Sequence, residues 1–137
     1  MKHKFAIIGL GIMGRRMLEN VLRHPQFEVC GLWDPAAESV AKTCLILPNA
    51  PLAQSAQAAM HEAHVVYLAC PPGPRKTFAL EAAANGRGVF MEKPLGTDNA
   101  ESRDLLAQLS KARLPSVVNF TQAASRGFEE LSRSIHA

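Results

Sequence analysis

Residues 5–14, Phe5-Ala6-Ile7-Ile8-Gly9-Leu10-Gly11-Ile12-Met13-Gly14, decide how this chain is read. Four consecutive apolar residues stopped by glycine suit a strand buried on both faces, as in a parallel sheet. From Ile12 the apolar residues Ile12, Met13, Met17, Val21 and Leu22 recur near a 3.6-residue period. A helix therefore follows, ending at His24-Pro25, where proline forbids continuation. The three glycines between strand and helix have separate tasks. Gly9 permits the tight turn, Gly11 lets backbone approach a ligand without a Cβ in the way, and Gly14 lets the helix lie close to the strand. Free N–H groups at the helix start, at Ile12 and Met13, face an anion such as a pyrophosphate.

Working outward, Phe27 to Trp33 reads as the second strand, and Asp34 stands at its end, twenty residues after Gly14. A carboxylate there can accept hydrogen bonds from the adenosine ribose hydroxyls of a dinucleotide. It would also repel a 2′-phosphate, and no arginine immediately follows to offset it, so NAD is expected over NADP. Asp34-Pro35 is read as the cap and first position of a second helix continuing from Ala36 to Thr43. A short strand at Cys44 to Leu47 and a short helix at Gln54 to His61 come next.

Val65 to Ala69 is a further buried strand, followed by the turn Cys70-Pro71-Pro72-Gly73-Pro74 and a helix from Thr77 to Asn85, with Gly86 beyond its end. Gly88 to Met91 is a strand and Glu92 to Gly96 a loop. Thr97 or Asp98 caps a helix to about Ala112, Ser116 to Phe120 is the last strand, and a final helix spans Arg126 to His136. Strand alternating with helix throughout predicts an α/β fold, a doubly wound, mostly parallel sheet in three layers. Residues 1–121 are expected to form the dinucleotide-binding domain. Residues 122–137, whose last helix carries the stripe Phe128, Leu131 and Ile135, either pack on that domain or open an absent carboxyl-terminal one.

Composition narrows the function. The chain has 137 residues, a formal charge of +3, 47% hydrophobic and 20% charged residues, so one ordinary domain is expected, well short of a two-domain enzyme. The positive charges are dispersed, which disfavours nucleic acid. No apolar run approaches the roughly 20 residues that span a bilayer, and the glycines and arginines after the first apolar stretch spoil a signal peptide. Three cysteines, Cys30, Cys44 and Cys70, suit a reducing cytoplasm, with Cys30 and Cys70 read as small buried thiols. His61 and His64 lack further ligands, so no metal site is expected.

Carboxyl ends of strands are where an open α/β sheet binds ligand, which brings forward Cys70, Pro71, Pro72 and Glu92-Lys93-Pro94. The ammonium of Lys93 can polarise a substrate hydroxyl or carbonyl, or serve as general acid and base, with Glu92 orienting it. Considered alone, a Glu-Lys pair in a loop is more often a solvated surface pair.

The Gly9–Gly14 motif, Asp34, Ala69-Cys70-Pro71-Pro72 and above all Glu92-Lys93-Pro94-Leu95 resemble the amino-terminal domain of the Gfo/Idh/MocA family of NAD(P)-dependent oxidoreductases. The resemblance covers nearly the whole chain. It implies hydride transfer between a nicotinamide cofactor and a sugar-, inositol- or polyol-like substrate, with Lys93 contacting substrate beside the nicotinamide. It also implies a second domain, absent here, that supplies most substrate contacts and usually the oligomer interface, so a homo-oligomer would form through it. Val117 to Gln122 is similar to the family's crossover strand, but Gln122-Ala123-Ala124 replace the arginines common just after it. The other class of function compatible with the residues is a self-contained, non-catalytic dinucleotide-binding regulatory module.

Overall fold

The computed structural model describes residues 1–121 and 125–135. Its strands are β1 (His3–Ile8), β2 (Phe27–Trp33), β3 (Val65–Leu68), β4 (Gly88–Glu92) and β5 (Ser116–Asn119). Its helices are α1 (Ile12–Arg23), α2 (Ala37–Ile46), α3 (Ala56–Met60), α4 (Pro72–Ala84), α5 (Asn99–Ala112) and α6 (Arg126–Ile135). All five strands run parallel in the order β2-β1-β3-β4-β5. This is the doubly wound Rossmann-like fold expected from the sequence. The order reverses at β1, which lies between β2 and β3, and ligands of open α/β sheets gather at such a point.

Alternation along the strands divides the core in two, because successive side chains point to opposite faces. Ala6, Ile8, Val66, Leu68, Val89 and Met91 pack with α3, α4 and α5, whose Ala59, Ala82 and Leu105 are all buried. Phe5, Ile7 and Tyr67 face the other way, against Leu18 and Val21 of α1. Helix starts follow local chemistry. The Ser55 hydroxyl accepts from the Ala58 N–H at 3.0 Å, and an Asp98 carboxylate oxygen accepts from the Glu101 N–H at 2.8 Å.

Three local expectations are corrected. Cys44 to Ile46 is the end of α2 and not a strand, since Val40, Thr43 and Leu47 turn inward at helical spacing while Leu45 stays exposed. The outer edge of β2 is met instead by Leu52, which pairs in parallel with Leu32. Asp34-Pro35 does not cap α2: Ala36 is the N-cap, and Asp34 has another task. The prolines after Cys70 form no long turn, because Pro72 opens α4 and Pro74 lies in its first turn, where missing N–H groups cost nothing. Cys30 is half-buried, while Cys70 is buried.

None of the residues of α6 is buried, and Phe128, Leu131 and Ile135 are exposed. Gln122-Ala123-Ala124 and His136, where the final helix is expected to end, lie outside the described residues. Among the described residues, no helix is long and apolar enough to cross a membrane.

Candidate functional site

The turn from β1 to α1 builds one wall of a cleft. Gly9 has φ +94°, and a Cβ there would lie 2.6 Å from the Cys70 backbone nitrogen, so both conformation and crowding require glycine. At Gly14 an added Cβ would come within 1.9 Å of the Gly9 carbonyl oxygen. A Cβ on Gly11 would meet nothing within 4 Å, so the backbone there faces open space. Such an open glycine at a helix N-terminus fits a dinucleotide pyrophosphate, which needs close backbone approach and free N–H donors.

Asp34 ties the second strand to this turn. One carboxylate oxygen accepts from the Leu10 N–H at 2.7 Å and the other from the Ala36 N–H at 2.8 Å. Arg15 closes the same turn, its guanidinium donating to the Leu10 carbonyl at 2.6 Å. Both oxygens of Asp34 keep lone pairs for further donors, and Asp34 lines the cleft.

The cleft has a volume of about 650 Å³, within the range of ligand sites. It gathers Gly9, Gly11, Met13, Asp34, Cys70, Pro71, Glu92 and Lys93 along the carboxyl ends of the strands. Gly14 lies behind it as a packing residue, while Ile12 is exposed on α1 and Pro72 opens α4, both off the cleft lining. Trp33 joins the wall and meets Phe78 edge-on, with ring centroids 5.9 Å apart. Burial pushes the Cys70 thiol above its ordinary pKa against a smaller opposing pull from the nearby Arg75 charge, so Cys70 is a wall and not an activated thiolate.

The far end of the cleft holds contacts that periodicity and spacing do not reveal. The Tyr67 hydroxyl donates to a Glu92 carboxylate oxygen, and the Asn119 amide donates to the same oxygen at 2.5 Å. Three strand ends are thereby joined around one buried carboxylate, which is 4% exposed. Arg75, 2% exposed, donates to the backbone carbonyls of Glu92 at 2.5 Å, of Pro94, and of Cys70 at 2.6 Å. Its Nε is buried without a partner among the described residues. The Lys93-Pro94 peptide is cis, and the Lys93 side chain is exposed at the rim. Arg75, Tyr67 and Asn119 are separated in sequence by up to 52 residues, so only the assembled sheet brings them together.

Desolvation, then the hydrogen bond to Glu92 and that carboxylate's charge, raise the Tyr67 pKa well above its ordinary value. A raised folded pKa favours the neutral phenol, so its contribution to stability is complete below the unfolded value near 10 and is lost as pH climbs toward the folded one. Tyr67 is the chain's one tyrosine, so ultraviolet difference absorbance reads it alone. At pH about 11, where a free phenol is mostly ionised, the folded protein is expected to show no phenolate signal. A phenolate appearing near pH 10 while circular dichroism stays native would refute the buried Tyr67–Glu92 pair.

His61 lies in the turn after α3, and the His64 Nδ1 accepts from the Lys4 N–H at 3.2 Å. Among the described residues no group of three or more His, Cys, Asp or Glu is placed to hold a metal.

The model of the oxidoreductase family with an NAD-binding Rossmann fold, Gfo/Idh/MocA, matches residues 3–120. No curated protein matches the sequence. Among solved structures, the WlbA dehydrogenase from Bordetella pertussis, in complex with NADH and UDP-GlcNAcA, is similar over 98% of this chain and 40% of its own, at 20% identity and TM-score 0.88. Biliverdin reductase from Synechocystis sp. PCC 6803, in complex with biliverdin and NADP+, is similar over 97% of this chain and 42% of its own, at 18% identity and TM-score 0.85. The apo scyllo-inositol dehydrogenase from Lactobacillus casei covers 98% and 41%, at 17% identity and TM-score 0.84. Identities this low show a common fold, and the chain spans about two-fifths of the length of these structures. With the family model matched from the first strand to the end of the last, the chain belongs to the Gfo/Idh/MocA oxidoreductase family and is an NAD-binding Rossmann domain of it.

Proposed function

We propose that this chain is the cofactor-binding part of a dehydrogenase that acts on a sugar-, inositol- or polyol-like substrate with NAD in preference to NADP. The observation that carries this reading is the cleft, in which the open Gly11 backbone, the Asp34 carboxylate and the Lys93 rim share one continuous wall. Gly9, Gly11 and the N–H groups of Ile12 and Met13 would hold the pyrophosphate, and Asp34 the adenosine ribose. Cys70 and Pro71 would shape the opposite wall, Pro72 would start the helix behind it, and Glu92 and Lys93 would sit beside the nicotinamide. A bound nicotinamide supplies the hydride chemistry. The chain's part is to orient it and, through the Lys93 ammonium, to hold a substrate oxygen and move a proton at that atom.

Residues 1–121 form the dinucleotide-binding unit in this reading, and residues 122–137 lead into a second domain that completes the substrate site and the homo-oligomer interface. Solved relatives of this fold include proteins crystallised with a UDP-sugar or named for an inositol, which supports the substrate class. Three free cysteines suit a reducing cytoplasm.

Cofactor choice rests on Asp34. A ribose 2′-hydroxyl can donate to its carboxylate, whereas a 2′-phosphate meets a like charge, and the Arg15 guanidinium nearby is engaged with the Leu10 carbonyl. NADH is expected to bind at least about tenfold tighter than NADPH in a fluorescence titration, a difference of about 1.4 kcal/mol. Equal or tighter NADPH binding would overturn the preference.

A further inference from the structure

The loop that carries Lys93 is exposed and short, yet its backbone is held from below by one buried side chain. Arg75 sits in the first turn of α4, at the positive end of the helix dipole, an unfavourable place for a cation. Among the described residues it has no carboxylate within ion-pair distance. What it has are three carbonyl oxygens from two segments: Cys70 in the link from β3 to α4, and Glu92 and Pro94 on either side of Lys93. The planar fork of a guanidinium can reach such a divergent set, and a lysine ammonium cannot reproduce it. Burying a cation at this helix end is costly, and the three charge-assisted bonds to these carbonyls are what offset the cost, so the arginine and the two segments are held as one unit.

We propose that Arg75 is a positioning residue of the cleft: by clamping the carbonyls that flank Lys93 to the β3–α4 junction, it fixes the Glu92–Pro94 segment where the nicotinamide half of the dinucleotide would lie. This rests on the reading of Lys93 given above. The adenosine half, held by the glycine turn and Asp34, does not depend on the clamp. Arg75 borders the cleft, and in this role it acts through the segment it holds.

The test separates the two halves of the ligand. Trp33 is the chain's one tryptophan and lines the cleft, so its emission can follow titrations with NADH and with ADP-ribose, which lacks the nicotinamide. Arg75→Met removes every donor at similar length, and Arg75→Lys keeps the charge but not the fork. Both variants are expected to bind NADH at least about tenfold more weakly than the wild type while ADP-ribose affinity stays within about twofold. Parallel losses for both ligands, unchanged NADH binding, NADH affinity retained by Arg75→Lys, or failure of both variants to fold would each overturn the proposal. Wild-type protein that binds neither ligand would instead overturn the reading of the cleft, and the clamp with it.

Discussion

Gly14→Ala is expected to strip the domain of a large share of its stability. Intrinsic propensity points the other way, because alanine in a helix interior is favoured over glycine by about 1 kcal/mol. Sterics decide the outcome. The added Cβ would lie 1.9 Å from the Gly9 carbonyl oxygen and 2.9 Å from its carbon, both backbone atoms of the turn, with the Ile7 side chain behind. Relief requires α1 to move off β1, opening the contacts of Leu18 and Val21 with Phe5 and Ile7. A cost of at least about 4 kcal/mol is expected, a large share of the roughly 5–15 kcal/mol that holds a domain together. Gly11→Ala is the control, because its Cβ meets nothing in the protein. That variant should keep the urea midpoint of the wild type and lose nucleotide binding. A Gly14→Ala midpoint within error of the wild type would refute the close packing of helix on strand.

Lys93→Ala is expected to lower kcat by about 10²–10⁴ in the longest form of the protein that turns over substrate, the range for loss of a proton-transfer group. NADH affinity should change by no more than about threefold, since one exposed ammonium contributes little to binding. The contrast with Arg75 is informative: removing the Lys93 side chain leaves Glu92 and the backbone of the loop in place, whereas removing the clamp releases all of it. Equal losses in kcat and NADH affinity would make Lys93 a binding residue only.

The fold was legible because its signals are local. The apolar runs at residues 5–8, 65–69 and 88–91 and the helix-capping Asp98 each act within a few residues of themselves, and the structure places β1, β3, β4 and α5 there. Cys44 to Leu47 misled because a short apolar run has no period of its own; only the inward turn of Val40 and Thr43 makes it helical. Asp34 shows the same limit from the other side. A local reading makes it a cap, and beside the nearby Ala36 N–H its other partner, the Leu10 N–H, is 24 residues away. The glycine turn, Asp34 and Lys93 could be placed on one rim from strand order alone. Arg75 could not, because in sequence it is one of two adjacent basic residues, and nothing in Arg75-Lys76 distinguishes the buried clamp from the Lys76 ammonium that pairs with Asp104 on the surface. Tyr67, Glu92 and Asn119 likewise meet only when β3, β4 and β5 pair in register.

The most direct measurement is a calorimetric titration of the 137-residue chain with NADH, repeated on Gly11→Val. One-to-one binding with a Kd below about 1 mM, abolished by Gly11→Val in a protein that keeps its native circular dichroism, is the expected result. No saturable heat with the wild type, or binding unchanged by a side chain at Gly11, would contradict the assignment of the cleft to a nicotinamide dinucleotide.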